Sequence, residues 1–166
     1  MQTTVDLHSL VAAVGDAVIV SDTSHNITLW NKAAERMFGY TEAEALGQTL
    51  DLIIPERMRK RHWEGYQKTM ETGVTKYGTE VLYVPAIDKS GRSFSIAFTV
   101  ALLYTHDGKV SAIAAVIRDD TQRFERDRTQ RKRIAELESL ARENAAPHAE
   151  APSNAAPAGF PVHSSE

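Results

Sequence analysis

The chain contains no cysteine. Disulfides, thiolate catalysis and cysteine-built zinc sites are thereby excluded. No apolar run approaches the roughly 20 residues that a helix needs to cross a bilayer. The opening MQTTVDLHSL has neither the basic stretch nor the apolar core of a secretion signal. A cytoplasmic protein that avoids membranes is therefore expected. Positive charge is not in excess either: 19 Lys and Arg stand against 22 Asp and Glu, a net charge of −3. Such a balance makes no whole-protein field for nucleic acid or anionic lipid. A G-x-x-x-x-G-K-[ST] phosphate loop and a kinase histidine box are missing, and no carboxylate pair sits in a context that suggests a shared pocket. The chain is therefore expected not to be an enzyme.

What is present points to one domain with additions. Hydrophobic residues make up 42% of the 166, enough for a core. Residues 144–166, NAAPHAEAPSNAAPAGFPVHSSE, are rich in Ala, Pro and Ser and predict a disordered tail. Residues 120–143 are dense in Arg, Glu and Gln without Gly or Pro, which predicts a long polar helix. Residues 1–16 form a helical cap in which Leu7, Leu10, Val11 and Val14 follow helical spacing. The globular part is then 17–119.

Within it, Ala17–Ser21 and Ile27–Trp30 read as a hairpin around the turn residues of Asp22–Asn26. Asn31 suits the N-cap of a helix that Gly39 ends. Thr41 and Glu44 make a capping box for a short helix closed by Gly47. Pro55 suits the first turn of a helix that runs to about Thr72, with Gly73 past its end. Three strands follow. Tyr77–Ile87 contains Pro85, which fits an edge, a bulge or a strand end. Ser93–Tyr104 places Phe94, Ile96, Phe98, Val100 and Leu102 on one face. Val110–Arg118 follows a His106-Asp107-Gly108-Lys109 turn, for which Asp-Gly predicts type I′. The order predicts an α+β domain with a five-stranded antiparallel sheet and short helices on one face.

Several ordered motifs carry a resemblance. They are W-N-x-A-A-E-R-x-F-G-Y-T-x-x-E-x-x-G-Q at Trp30–Gln48, I-P-E-R at Ile54–Arg57, K-S-G-R-S-F at Lys89–Phe94 and R-D-D-T at Arg118–Thr121. Together they resemble the PAS sensor family over about Val5 to Leu140. The resemblance implies a PAS fold, a small ligand or cofactor held in a half-barrel, and a C-terminal signalling helix. It also implies that Asp119, Asp120 and Thr121 hold the exit into that helix, with Asp120 or Thr121 as its N-cap. The missing cysteine excludes the cysteinyl–flavin photochemistry of the light-sensing LOV branch.

Within the family, R-H-W-E-G-Y at Arg61–Tyr66 is most similar to FixL-type heme domains, where R-H-x-x-Y supplies the proximal histidine. The resemblance implies heme b with His62 as the axial iron ligand and Tyr66 packed one turn later. It places Lys68 and Lys76 where basic groups meet the propionates, and Phe98 and Val100 on the pocket wall. Counted back from Gly91, the family's distal arginine position holds Leu82, which cannot hydrogen-bond a bound gas. A hydrophobic distal pocket is expected, suited to carbon monoxide or nitric oxide rather than stable oxygenation.

The basic cluster Arg57, Arg59, Lys60 and Arg61 reads as a solvated helix face, because no nucleic-acid reader motif accompanies it. His25 and His106 lie in turns and receive no role. Phe124, Ile134, Leu137, Leu140 and Ala141 allow a short coiled coil, so a homodimer through the terminal helices is expected, with output to a partner protein. Two readings of different class result. One is a heme sensor of a diatomic gas or redox state. The other is a heme-free module that binds an apolar molecule, a flavin or nothing, and acts by dimerising.

Overall fold

The structure, a computed structural model, describes residues 5–75 and 77–145. Lys76 and the expected tail from residue 146 lie outside the described residues. The chain divides into two compact units between Asp127 and Arg128. The first holds helices α1 (Leu7–Ala13), α2 (Lys32–Phe38), α3 (Glu42–Ala45) and α4 (Glu56–Thr72), a 3-10 turn at Leu50–Leu52, and strands β1 (Ala17–Asp22), β2 (Ile27–Trp30), β3 (Leu82–Ile87), β4 (Ser93–Tyr104) and β5 (Val110–Asp119). Helix α5 (Thr121–Ala145) starts there and supplies the described part of the second unit. Among the described residues, no helix is long and apolar enough to cross a membrane.

The five strands form one antiparallel sheet in the order β2-β1-β5-β4-β3. Alternation sets its faces, since neighbouring side chains along a strand point oppositely. Register then aligns the inner face. Ala17 pairs with Ile117, Ile117 with Phe98, and Phe98 with Leu82. The next inner row is Ile19, Ala115 and Val100, and the one after it Ser21, Ile113 and Leu102. Pro85 is accommodated because β3 is an edge strand.

The core gathers at one end of this face. Trp30, Phe38, Ile19 and Ile27 are fully buried, and full burial of such an aliphatic or aromatic side chain is worth about 1.5–3 kcal/mol. Phe38 tilts against Trp30 and Phe94, with ring centroids at 5.5 and 5.7 Å. Trp30 Nε1–H donates to the Tyr40 carbonyl at 3.0 Å, so its one polar atom is satisfied. Toward the other end the filling thins. Phe98, Val100, Leu102 and Ile113 face inward yet are only half-buried.

Three local expectations change. The apolar run from Tyr77 does not begin as strand: Gly78 has φ 53° and a turn links the Glu80 N–H to the Tyr77 carbonyl, so β3 starts at Leu82. The β4–β5 turn is not type I′, which needs positive φ at both central residues. Only Gly108 is left-handed there, after a turn closed by its N–H to the Thr105 carbonyl. At the entrance to α5, Asp120 stands at the expected N-cap position, its carbonyl accepting the Phe124 N–H at 3.0 Å, but the side-chain roles differ. Asp119 Oδ1 accepts the Thr121 N–H at 2.9 Å, while Asp120 pairs with Arg123. Thr121 Oγ1 accepts the Ser95 N–H at 3.3 Å, tying the helix start to β4.

Candidate functional site: the inward face of α4

Helix α4 follows Pro55, whose ψ of 135° holds it just outside the helix as its N-cap rather than inside the first turn. Gly73 ends it at φ 66°, a left-handed cap that only glycine adopts readily. Met58, His62, Trp63, Tyr66 and Met70 recur at helical spacing and form its more buried side. Tyr66 alone among the described α4 residues is buried. It is also the anchor to the sheet. Its hydroxyl donates to the Asp22 carbonyl at 2.7 Å. That uses its single proton, so the Ser21 hydroxyl, 2.9 Å away, donates to it in turn. Ser21 stands in the inner row with Ile113 and Leu102. The helix thus crosses the sheet over its thinly filled end.

His62 lies beside this anchor, one helical turn earlier. Its Nδ1 is buried and has no hydrogen-bond partner. Burial holds its pKa below the ordinary imidazole value; the Asp51 carboxylate opposes the shift and His25 adds to it. Asp51 Oδ1 is likewise buried and without a hydrogen bond, with Arg59 Nε 3.8 Å away. Arg59 instead donates to the Ile54 and Asp51 carbonyls, both at 3.1 Å, lashing the first turns of α4 to the 3-10 turn. Burial raises the Tyr66 pKa, and the bond from Ser21 only partly offsets this.

The structure brings together two of the expected sets. His62 and Tyr66 share one side of α4, spaced four apart, one residue more than R-H-x-x-Y provides. Their ring centroids are 6.0 Å apart. Leu82 and Phe98 are directly paired, with Val100 in the next row of the same face. Lys68 is exposed, off the inward side of α4.

Three contributors were not foreseen. Ser21 and Asp51 gave no sequence signal, being an ordinary strand residue and one acid among 22. His25 did give one. Its ring stacks on Trp63 at 4.4 Å and meets Tyr66 edge-on at 4.5 Å. It occupies the turn position that glycine holds in the later hairpins at Gly91 and Gly108. Chemically, the site offers an unpartnered imidazole nitrogen, an aromatic surround and an apolar sheet face. Among the described residues, no three His, Cys, Asp or Glu are grouped to hold a bare metal ion.

Comparison with known proteins gives the relationship. The model of the PAS fold family matches residues 6–119. The sensor protein FixL of Bradyrhizobium diazoefficiens is 45% identical over 56 residues, 34% of this chain and 11% of FixL. The oxygen sensor protein DosP of Escherichia coli is 24% identical over 119 residues, 72% of this chain and 15% of DosP. The chain thus matches only about a tenth of the length of such relatives. Among solved structures, a PAS domain from Colwellia psychrerythraea aligns with TM-score 0.61 at 21% identity, covering 70% of this chain and 95% of that one. An RNA-binding light-oxygen-voltage receptor aligns with TM-score 0.65 at 19% identity, covering 78% and 36%. Likeness at these identities concerns the fold. With more than half of its length matched, the chain belongs to the PAS family and carries a PAS sensory domain of the kind used in signal transduction.

Proposed function

We propose that this PAS domain binds heme b through His62 and senses a diatomic gas or redox state. The observation that carries the reading is the buried, unpartnered Nδ1 of His62 on the inward side of α4. A buried polar atom without a partner costs about 1–3 kcal/mol unless something satisfies it. Imidazole is an iron ligand, and a ligating histidine ordinarily gives its second ring nitrogen to a carboxylate or carbonyl. Asp51, which already acts on His62 electrostatically, is a carboxylate suited to that second role. The half-buried faces of Phe98, Val100 and Leu82 would line the wall, and exposed Lys68, with Lys76, would serve the propionates. Bound heme would supply a site for a diatomic ligand. Because the row at Leu82 and Phe98 offers no hydrogen-bond donor from its side chains, carbon monoxide or nitric oxide is favoured over oxygen.

The route outward runs through β3 and α5. Leu82 faces the inner side, while its neighbour Tyr83 lies on the outer side under the Arg123 guanidinium, 4.2 Å from ring to cation. A shift at Leu82 would therefore be felt at the base of α5, and from there by a second copy or a partner protein. Hemin titration of the wild type and of His62→Ala tests the reading. The wild type should take up one equivalent and the variant should bind at least about tenfold more weakly, since loss of even a supporting residue costs 10–100-fold. Equal binding by both would remove His62 from the site. In a heme-loaded protein, Leu82→Arg should slow oxygen dissociation by returning a donor to the pocket, and unchanged dissociation would contradict the pocket assignment.

A further inference from the structure

The three hairpin turns share one construction. In the β3–β4 turn, the Gly91 N–H donates to the Asp88 carbonyl at 2.9 Å and the Asp88 N–H to the Arg92 carbonyl at 3.1 Å. In the β4–β5 turn, the Gly108 N–H donates to the Thr105 carbonyl at 3.0 Å and the Thr105 N–H to the Lys109 carbonyl at 2.8 Å. In the β1–β2 turn, the His25 N–H donates to the Asp22 carbonyl at 3.0 Å and the Asp22 N–H to the Asn26 carbonyl at 2.9 Å. The fourth residue is left-handed in all three, with φ of 83° at Gly91, 80° at Gly108 and 72° at His25.

Glycine reaches this conformation freely, whereas a residue with a Cβ loses about 1 kcal/mol or more. His25 is the one position among the described residues where a side chain is kept in spite of positive φ. Its side chain has an occupation. It stacks on Trp63 with planes 24° apart and meets Tyr66 edge-on, and the rings of these two residues lie 5.0 and 6.0 Å from that of His62. Tyr66 also bonds the carbonyl of Asp22, the residue that opens the same turn. Aromatic pairs of this kind are worth about 0.5–1.5 kcal/mol beyond their buried area, enough to offset the backbone cost.

We infer that His25 is a positioning residue, an imidazole latch that fixes the His62-bearing turns of α4 to the β1–β2 hairpin. The latch itself rests on the geometry. Its consequence for ligand binding rests on the heme reading. With α4 held at one height above the sheet, His62 is presented to a ligand at a set distance. Without the ring, the same helix keeps the Tyr66 and Arg59 bonds and, at its C-cap, the bond from the Tyr104 hydroxyl to the Gly73 carbonyl at 3.4 Å.

His25→Gly in the full chain tests this, because glycine relieves the turn instead of straining it. His25→Asn, which tolerates positive φ but lacks a ring, serves as the second variant. Amide hydrogen exchange is read without added ligand, and hemin affinity by titration. In both variants the β1 and β2 amides should keep their protection while those of 59–70 exchange faster, and hemin should bind about tenfold more weakly. Unchanged α4 exchange overturns the latch, as does unchanged hemin affinity where the wild type binds hemin. If the wild type takes up no hemin, the heme reading fails and α4 exchange alone decides for or against the latch.

Discussion

Asn31 does the work of two connectors with one side chain. Its Oδ1 accepts the Val18 and Ala34 N–H groups, both at 2.9 Å, while Nδ2 donates to the Val11 and Asp16 carbonyls at 3.0 and 3.1 Å. The first pair caps α2 against β1, and the second holds the end of α1 and its exit. Asp caps a helix as well as Asn does, but it cannot donate. Asn31→Asp should therefore destabilise the domain by about 2–3 kcal/mol in urea unfolding, from two half-buried carbonyls facing a carboxylate. An unchanged midpoint would mean that the Nδ2 bonds carry no weight. Tyr66 gives a second contrast. Tyr66→Phe strands the buried Ser21 hydroxyl and should cost about 1–3 kcal/mol, whereas Ser21→Ala leaves Tyr66 bonded to Asp22 and should cost under about 1 kcal/mol. Reversal of that order would contradict the donor assignment.

At the scale of elements, the capping box of α3 is complete, with Thr41 and Glu44 exchanging bonds. Glu44 also pairs with Lys89 of the β3–β4 turn. The Lys89 hydrogen bond, with help from the Thr41 N–H, holds the Glu44 pKa down at about 2 from its ordinary 4.5. A carboxylate with a depressed folded-state pKa contributes stability above its unfolded value and loses it as pH falls through the window from 4.5 to about 2. Glu44→Gln should flatten the acid limb of stability in that window, and 1 M salt should shrink the difference between the two proteins because both groups are exposed. Acid limbs that superimpose would show the pair to be inert.

These elements also show what could be read from the chain. Capping and alternation are local, so Asn31, the Thr41–Glu44 box, Gly39, Gly73 and the inner face of β4 were legible. The start of β3 was not, because Val81 and Tyr83 carry strand-forming chemistry that Gly78 interrupts only through its φ. Within the site, His62 and Tyr66 stood out through a motif. Ser21 and His25 reach Tyr66 across 45 and 41 residues of sequence, and Asp51 acts on His62 across 11, and no local pattern encodes such meetings. The turns alone held a clue: Asp88-Lys89-Ser90-Gly91 and Asp22-Thr23-Ser24-His25 share Asp first and Ser third, but the fourth place, glycine in one, is histidine in the other.

For the whole molecule, each terminal helix leaves apolar side chains in solvent. Leu7 and Leu10 of α1 are exposed, and so are Phe124, Ile134, Leu137 and Leu140 of α5. Helix α5 is otherwise polar and buries no described side chain. Singly, such residues are unremarkable; on one short stretch of helix, Ile134, Leu137 and Leu140 could meet a second copy. If the helices pair as we propose, Leu137→Lys should shift sedimentation toward monomer at micromolar protein, and an unchanged distribution would exclude Leu137 from any self-association. The polar surroundings of these side chains would keep such an association weak.

The central claim is that His62 waits for iron. The most direct test is the absorption spectrum of the purified full chain, with and without hemin, before and after carbon monoxide, for the wild type and His62→Ala. A sharp Soret band that carbon monoxide shifts, and that the variant lacks, is the result expected of a heme sensor. A featureless spectrum after hemin addition, or a band identical in the variant, would contradict it.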